Sequence, residues 1–235
     1  MPWDFVAILL VLGLVIPLRG RAKMRTLLAL PEVSSAERLS LYASTIAFQW
    51  AVTGIAAWRA WARGLIPSQL GITALDARRL ALPTLAGALF FLFFQWWNLR
   101  RVGRSPTAAR ATVLRVARLI LPATLPEKLA YVALAVTAGV CEEFLYRGFA
   151  TAAFLRIGLP NWAVVVITAA LFGLAHLYQG RNGVITTLLV GLVFGAGRIV
   201  CDSLAPVVIW HATVDLTGGL LGRKYVEQRP EPTLG

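Results

Sequence analysis

Residues 135–155 read AVTAGVCEEFLYRGFATAAFL. A helix crosses the ~30 Å hydrocarbon core of a bilayer with about 20 apolar residues, and this stretch has that length. Yet it carries Glu142, Glu143 and Arg147. An ionisable group at mid-membrane costs at least ~2.5–3.5 kcal/mol on insertion scales, so such groups are functional candidates by default. The stretch therefore reads as a membrane span bearing chemistry.

Working outward, similar stretches recur. Phe5–Leu18, extendable by Met1–Asp4, Leu39–Trp58 and Leu80–Leu99 precede it, while Gly158–Gly180, Gly183–Val200 and Leu204–Gly222 follow. The expected fold is all-α: a polytopic membrane bundle of about seven (six to eight) transmembrane helices. The composition agrees. Of 235 residues, 58% are hydrophobic and 14% charged, with mean hydropathy +0.70. A soluble domain is nearer 45–50% apolar and about 25% charged, and disorder needs low hydrophobicity. Cys141 and Cys201 both lie in apolar segments and read as small buried hydrophobes.

The net charge of +12 would suggest nucleic acid in a soluble protein. Here the cations fall in short blocks between apolar runs, as membrane topology requires, and no basic–aromatic interleaving lies in a soluble segment, so no nucleic-acid partner is expected. The basic cluster Arg19, Arg21, Lys23 and Arg25 follows the first apolar run. That order favours a retained first helix with its N-terminus outside over a cleaved signal peptide. The segments then placed inside hold 16 basic residues against 4 outside. An integral, multi-pass protein of a bacterial cytoplasmic membrane is expected, with the C-terminus cytoplasmic. Several of the eight tryptophans sit near span ends, as an interfacial belt would. The inner stretch from Ser105 to Leu121 begins Ser-Pro and ends at Pro122. It reads as a basic helix on the inner membrane surface, with a plain cytoplasmic linker as the other reading.

The chain has two histidines, His176 and His211, and both fall inside apolar segments. On a helix Glu143 and Arg147 are i,i+4 neighbours, and Glu142 points about 100° away. Arginine can thus pair with one carboxylate and leave the other desolvated, the state that suits a general base. An ion-pair network that only fastens helices together is the alternative. His176 closes Phe172-Gly173-Leu174-Ala175-His176, where Gly173 would let another helix approach closely. In His211-Ala212-Thr213-Val214-Asp215 the imidazole and carboxylate share a face, and could bind a metal, orient a proton transfer or bond each other. Depth suits all of them meeting in the cytoplasmic half if the fourth span starts at Ala135; a start at Leu129 would carry Glu142 too far out to meet His176.

Taken together, Glu142-Glu143-x-x-x-Arg147, Phe172-x-x-x-His176 and His211-x-x-x-Asp215 resemble the three-part signature of the CPBP (ABI) intramembrane proteases, which include the type II CAAX prenyl endopeptidases. The resemblance covers about residues 135–222. It implies that Glu142 activates the attacking water with help from His176. His211 and Asp215 would polarise the scissile carbonyl, with Glu143, Arg147 and Phe172 supporting. The family takes Asn or Asp at the last position. Asp215 is notable because an ionised carboxylate cannot donate to an oxyanion. The cofactor is open between zinc, held by Glu142, His176 and His211, and no metal; without a His-Glu-x-x-His helix an ordinary zincin site is excluded. The expected partners are a peptide or protein substrate with a hydrophobic or lipidated C-terminus, and membrane lipids. The chain then divides into an N-terminal membrane region (1–128), a catalytic helical core (129–222) and a cytoplasmic tail (223–235). Two other functions compete: a non-catalytic scaffold or bacteriocin self-immunity protein, packing through Gly191-x-x-x-Gly195 and Gly218-x-x-x-Gly222, and a proton-coupled transporter.

Overall fold

The computed structural model describes residues 1–104 and 115–227, and no strand occurs among them. Helices follow in the expected order. They are α1 (Trp3–Ala29), α2 (Ser35–Ala62), α3 (Ala77–Arg104), α4 (Leu125–Leu155), α5 (Asn161–Ala175), α6 (Gly180–Cys201) and α7 (Ala205–Glu227). Among the described residues five helical stretches are long and apolar enough to cross a membrane: α1 to α4 and the stretch containing α6. Of the surface helix expected over 105–121, residues 105–114 lie outside the described residues, and 115–120 are helical. Helix α7 continues to Glu227, so the first residues of the expected tail are helical. Arg223 and Lys224 are good helix formers and complement the negative end of the helix dipole.

The fourth helix corrects a second expectation. It starts at Leu125, not near Ala135, and its start is written in the sequence. Thr124 accepts a hydrogen bond from the Glu127 backbone N–H at 3.4 Å, and the Glu127 carboxylate accepts from the Thr124 N–H at 3.3 Å, a reciprocal cap. The helix is 31 residues long, about 46 Å at 1.5 Å per residue, well beyond a ~30 Å hydrocarbon core. Helix onset and membrane entry are therefore different points, and an early start does not push Glu142 outward.

Two charged clasps set how the first helices run. At one end Asp4 of α1 meets Arg59 of α2 and Arg63, which caps that helix, at 2.6 and 3.0 Å. At the other, Arg38 of α2 donates to both Glu127 oxygens of α4 at 3.0 Å, and the Tyr42 hydroxyl donates to the Ile120 carbonyl. Helices α1 and α2 are thus antiparallel, whereas α2 and α4 start side by side and run parallel. Helix α7 packs on α3 and α4, and α5 on α6.

Small residues permit these approaches. A Cβ at Gly191 would stand 3.1 Å from Ala169 Cα, and one at Gly195 3.1 Å from Val165 Cγ1. The Gly191-x-x-x-Gly195 stripe therefore seats α5 on α6 within the chain. Gly173 answers from α5, where a Cβ would lie 3.1 Å from Leu188 Cβ. Trp210 of α7 fits between Gly87 of α3 and Gly197 of α6, and its indole N–H donates to the Thr84 carbonyl at 3.1 Å. That wedge fixes the rotation of α7, and His211 is the next residue.

Candidate active site

Straight after the carboxylate pair, α4 widens into a π-helical segment, Phe144–Ala150. Such wide turns recur at functional sites because they re-aim side chains without breaking the helix. The i,i+4 relation still holds across its start: Arg147 Nη1 donates to Glu143 Oε1 at 3.0 Å, with both side chains fully buried. Arg147 also donates to the Gly191 carbonyl at 3.3 Å and lies 4.2 Å over the Phe172 ring. Phe172 in turn packs on His176, with ring centroids 4.6 Å apart, and edge-on to His211 at 5.9 Å. Phe172 is thus the floor on which the guanidinium and both imidazoles rest.

Glu143 does something the helix spacing did not reveal. The same Oε1 that takes Arg147 also takes His211 Nδ1 at 2.7 Å. A carboxylate only accepts, so Nδ1 carries the proton. The other ring nitrogen then faces two carboxylates: His211 Nε2 is 3.5 Å from Asp215 Oδ2 and 4.0 Å from Glu142 Oε2. The expected His211–Asp215 pairing across one helix face is present, but Glu143, arriving from α4, makes the shorter contact.

Glu142 points elsewhere, as its position on the helix requires. Its Oε1 accepts from Gln49 Nε2 of α2 at 2.7 Å, leaving Oε2 towards His211. Its side chain is 21% exposed, so water reaches it. Sequence reasoning missed Gln49, an uncharged residue amid a long apolar helix. Its one signal was being an amide in such a helix.

His176 is not inside its helix but caps it, with φ −97° and ψ 19°. Its Nδ1 bonds the Phe172 carbonyl at 2.8 Å, which fixes the proton on Nδ1 and leaves Nε2 as the open nitrogen. At 15 residues, α5 is about 22 Å long, shorter than the hydrocarbon core, so the imidazole stands at the end of a helix that stops short. Glu142 and His176 both line one cavity of about 260 Å³, walled by α1, α2 and α4 and largely apolar.

The expected residues thus come together, in two tiers. Glu142 and His176 face the cavity. His211 stands behind them, held by Glu143 and Arg147, with Asp215 beside it. His211 Nδ1 and His176 Nδ1 are engaged, which leaves each Nε2 as the nitrogen that could meet a metal, but among the described residues no three His, Cys, Asp or Glu side chains stand as a metal-holding group. What the groups can do unaided is take a proton from water at one carboxylate and offer a fixed imidazole N–H beside it.

No curated protein and no solved structure matches the chain. Residues 124–217, which carry all of these side chains except Gln49, match the family model described as type II CAAX prenyl endopeptidase Rce1-like.

Proposed function

We propose that this protein is an intramembrane endopeptidase that hydrolyses a peptide bond near the cytoplasmic face of a bacterial membrane, with its C-terminus inside. The observation that supports this best is the placement of Glu142 Oε2 4.0 Å from His211 Nε2, at the wall of a cavity that also meets His176. That gap is too long for a hydrogen bond and suits a bridging water or a carbonyl oxygen.

In this reading Glu142 takes a proton from water, and the oxygen attacks the scissile carbonyl carbon. His176 Nε2 steadies the attacking water. The carbonyl oxygen becomes an oxyanion that accepts from His211 Nε2–H, an imidazolium balanced by Glu143 at Nδ1. Glu142 then gives its proton to the leaving nitrogen as the C–N bond breaks. Asp215, ionised, cannot donate to the oxyanion; 3.5 Å from His211 Nε2, it helps balance the imidazolium charge. A substrate with a hydrophobic or lipidated C-terminal segment suits the apolar walls.

The test is cleavage of a diverse peptide library by detergent-purified protein, wild type beside Glu142→Gln. Loss of a general base costs about 10²–10⁴-fold. Equal cleavage by the variant refutes the reading and favours a non-catalytic scaffold.

A further inference from the structure

The cytoplasmic end of α1 carries Arg19, Arg21, Lys23 and Arg25, and they are not equally occupied. The Arg19 guanidinium lies 4.0 Å over the Phe48 ring, and Lys23 Nζ donates to the Ser44 hydroxyl at 3.1 Å. Arg21 and Arg25, one turn apart on another face of the helix, line an open hollow of about 630 Å³, where Arg181 joins them from α6. All three arginines are exposed. Among the described residues none of them makes an ion pair with a carboxylate. Like charges at i,i+4 repel. Arg181 adds a third cation in the first turn of α6, where the helix dipole disfavours it and no acid offsets it. Each of the three destabilises the others until an anion joins them.

The rest of the hollow indicates what carries that anion. Met24 and Leu28 of α1 are apolar, as are Leu177, Val184 and Ile185 across from them. An inorganic anion would leave this floor uncovered, whereas an amphiphile would cover it. The level agrees. The apolar stretch of α1 ends at Ala29, and the one containing α6 begins at Leu177, so the hollow lies where both helices leave the hydrocarbon. Arginine suits a phosphodiester there, because its planar fork donates two parallel hydrogen bonds to phosphate oxygens, and cations just outside a span draw anionic lipid.

We infer that Arg21, Arg25 and Arg181 hold the headgroup of an anionic phospholipid of the cytoplasmic leaflet, with its acyl chain over Met24 and Leu28. The hollow is not sealed off from the catalytic residues. Tyr178 lines both it and the cavity of Glu142. The Tyr178 ring stands 5.7 Å from that of His176, and it packs on α1, where a Cβ at Gly20 would lie 3.3 Å from Tyr178 Cδ1. A lipid that ties Arg181 to Arg21 and Arg25 pins the short turn Leu177–Gln179 against α1, with Tyr178 behind His176. Resting on the endopeptidase reading above, occupancy raises kcat by keeping His176 in place. The lipid site itself stands without that reading.

The experiment titrates the full chain, in non-ionic detergent, with phosphatidylglycerol and with phosphatidylcholine of the same acyl chains, and counts bound lipid by native mass spectrometry. Wild type should bind the first phosphatidylglycerol about tenfold or more tighter, the strength of one charge-assisted contact. Arg21→Gln/Arg181→Gln should lose the preference. Arg100→Gln/Arg101→Gln removes two cations from the end of α3 that already stack on Trp96 and Trp97, and should keep it. Equal binding of the two lipids by wild type overturns the proposal. So does an equal loss in both variants, the mark of net charge alone. Glycerol phosphate competing as well as the lipid shows the apolar floor to be unused and also overturns it. Peptide cleavage in bicelles reads the link to His176. Phosphatidylglycerol should raise wild-type kcat several-fold with KM little changed, and Tyr178→Ala should bind the lipid yet lose the rise. A cleaving enzyme indifferent to bound phosphatidylglycerol overturns that link. A wild type that cleaves nothing counts against the endopeptidase reading, and the titration then decides the lipid site by itself.

Discussion

Removing the charge of Glu143 is the most informative perturbation of this site. Both Glu143 and Arg147 are fully buried, and Glu143 Oε1 accepts from Arg147 at 3.0 Å and from His211 at 2.7 Å. Each hydrogen bond to a charged group contributes about 1.5–3 kcal/mol, and deleting one partner of a buried pair leaves an uncompensated charge, at about 3–5 kcal/mol. Glu143→Gln should therefore destabilise the protein by about 3–5 kcal/mol. The pair itself is less favourable than this suggests, because Glu143 Oε2 and Arg147 Nε are buried without partners. Replacing both members by uncharged groups should then recover most of the loss. Glu143→Gln/Arg147→Met should lie within about 2 kcal/mol of wild type, the shortfall reflecting Arg147's bond to Gly191 and its seat on Phe172. Stability is read by denaturant titration in detergent, with tryptophan fluorescence and exclusion chromatography as independent probes. Peptide cleavage should not recover. Gln removes the carboxylate that balances the His211 imidazolium at Nδ1, and its N–H₂ can displace the proton there, a loss of the kind that costs about 10⁴-fold in a Ser-His-Asp triad. Two results refute this reasoning: a double variant as unstable as the sum of its single variants, or a double variant with wild-type activity.

Three further outcomes are expected. Gln49→Leu should lower kcat about tenfold with little effect on KM, since it frees Glu142 Oε1 from its 2.7 Å bond; an unchanged kcat counts against Gln49 as the group that aims the base. Gly191→Leu should cost about 1–3 kcal/mol or more by overpacking, because even a Cβ would sit 3.1 Å from Ala169 Cα; a wild-type melting midpoint contradicts the close α5–α6 approach. Exhaustive treatment with chelator should leave peptide cleavage within about twofold, given the absence of a three-ligand group among the described residues, and loss of activity restored by added zinc would overturn that.

The sequence made most of this architecture legible because membrane physics writes large signals. Apolar runs of fixed length and the i,i+4 spacings of Glu143–Arg147 and His211–Asp215 are visible one residue at a time. What stayed hidden was relational. Nothing along the chain says that Glu143 on α4 meets His211 on α7, since that contact depends on Trp210 being wedged between Gly87 and Gly197. Gln49 shows in the sequence only as an amide in an apolar helix, not as the partner of Glu142 on α4. The start of α4 was misplaced because span length was taken for helix length, although Thr124 and Glu127 spell out the cap. His176 falls inside an apolar stretch, but hydropathy does not register where α5 stops, so its place at the cap shows only in the structure.

The Asp4 clasp has a consequence for biogenesis. Asp4 lies buried at the start of α1, and its partners Arg59 and Arg63 come more than fifty residues later, at the far end of α2. While the chain is being made, α1 can enter the bilayer on its own hydrophobicity, but its acidic end has no counter-charge until α2 has crossed back and delivered its arginines to the same side. The first two helices therefore mature as one hairpin. A nascent chain halted before Arg59 carries a carboxylate whose partners have not yet been made.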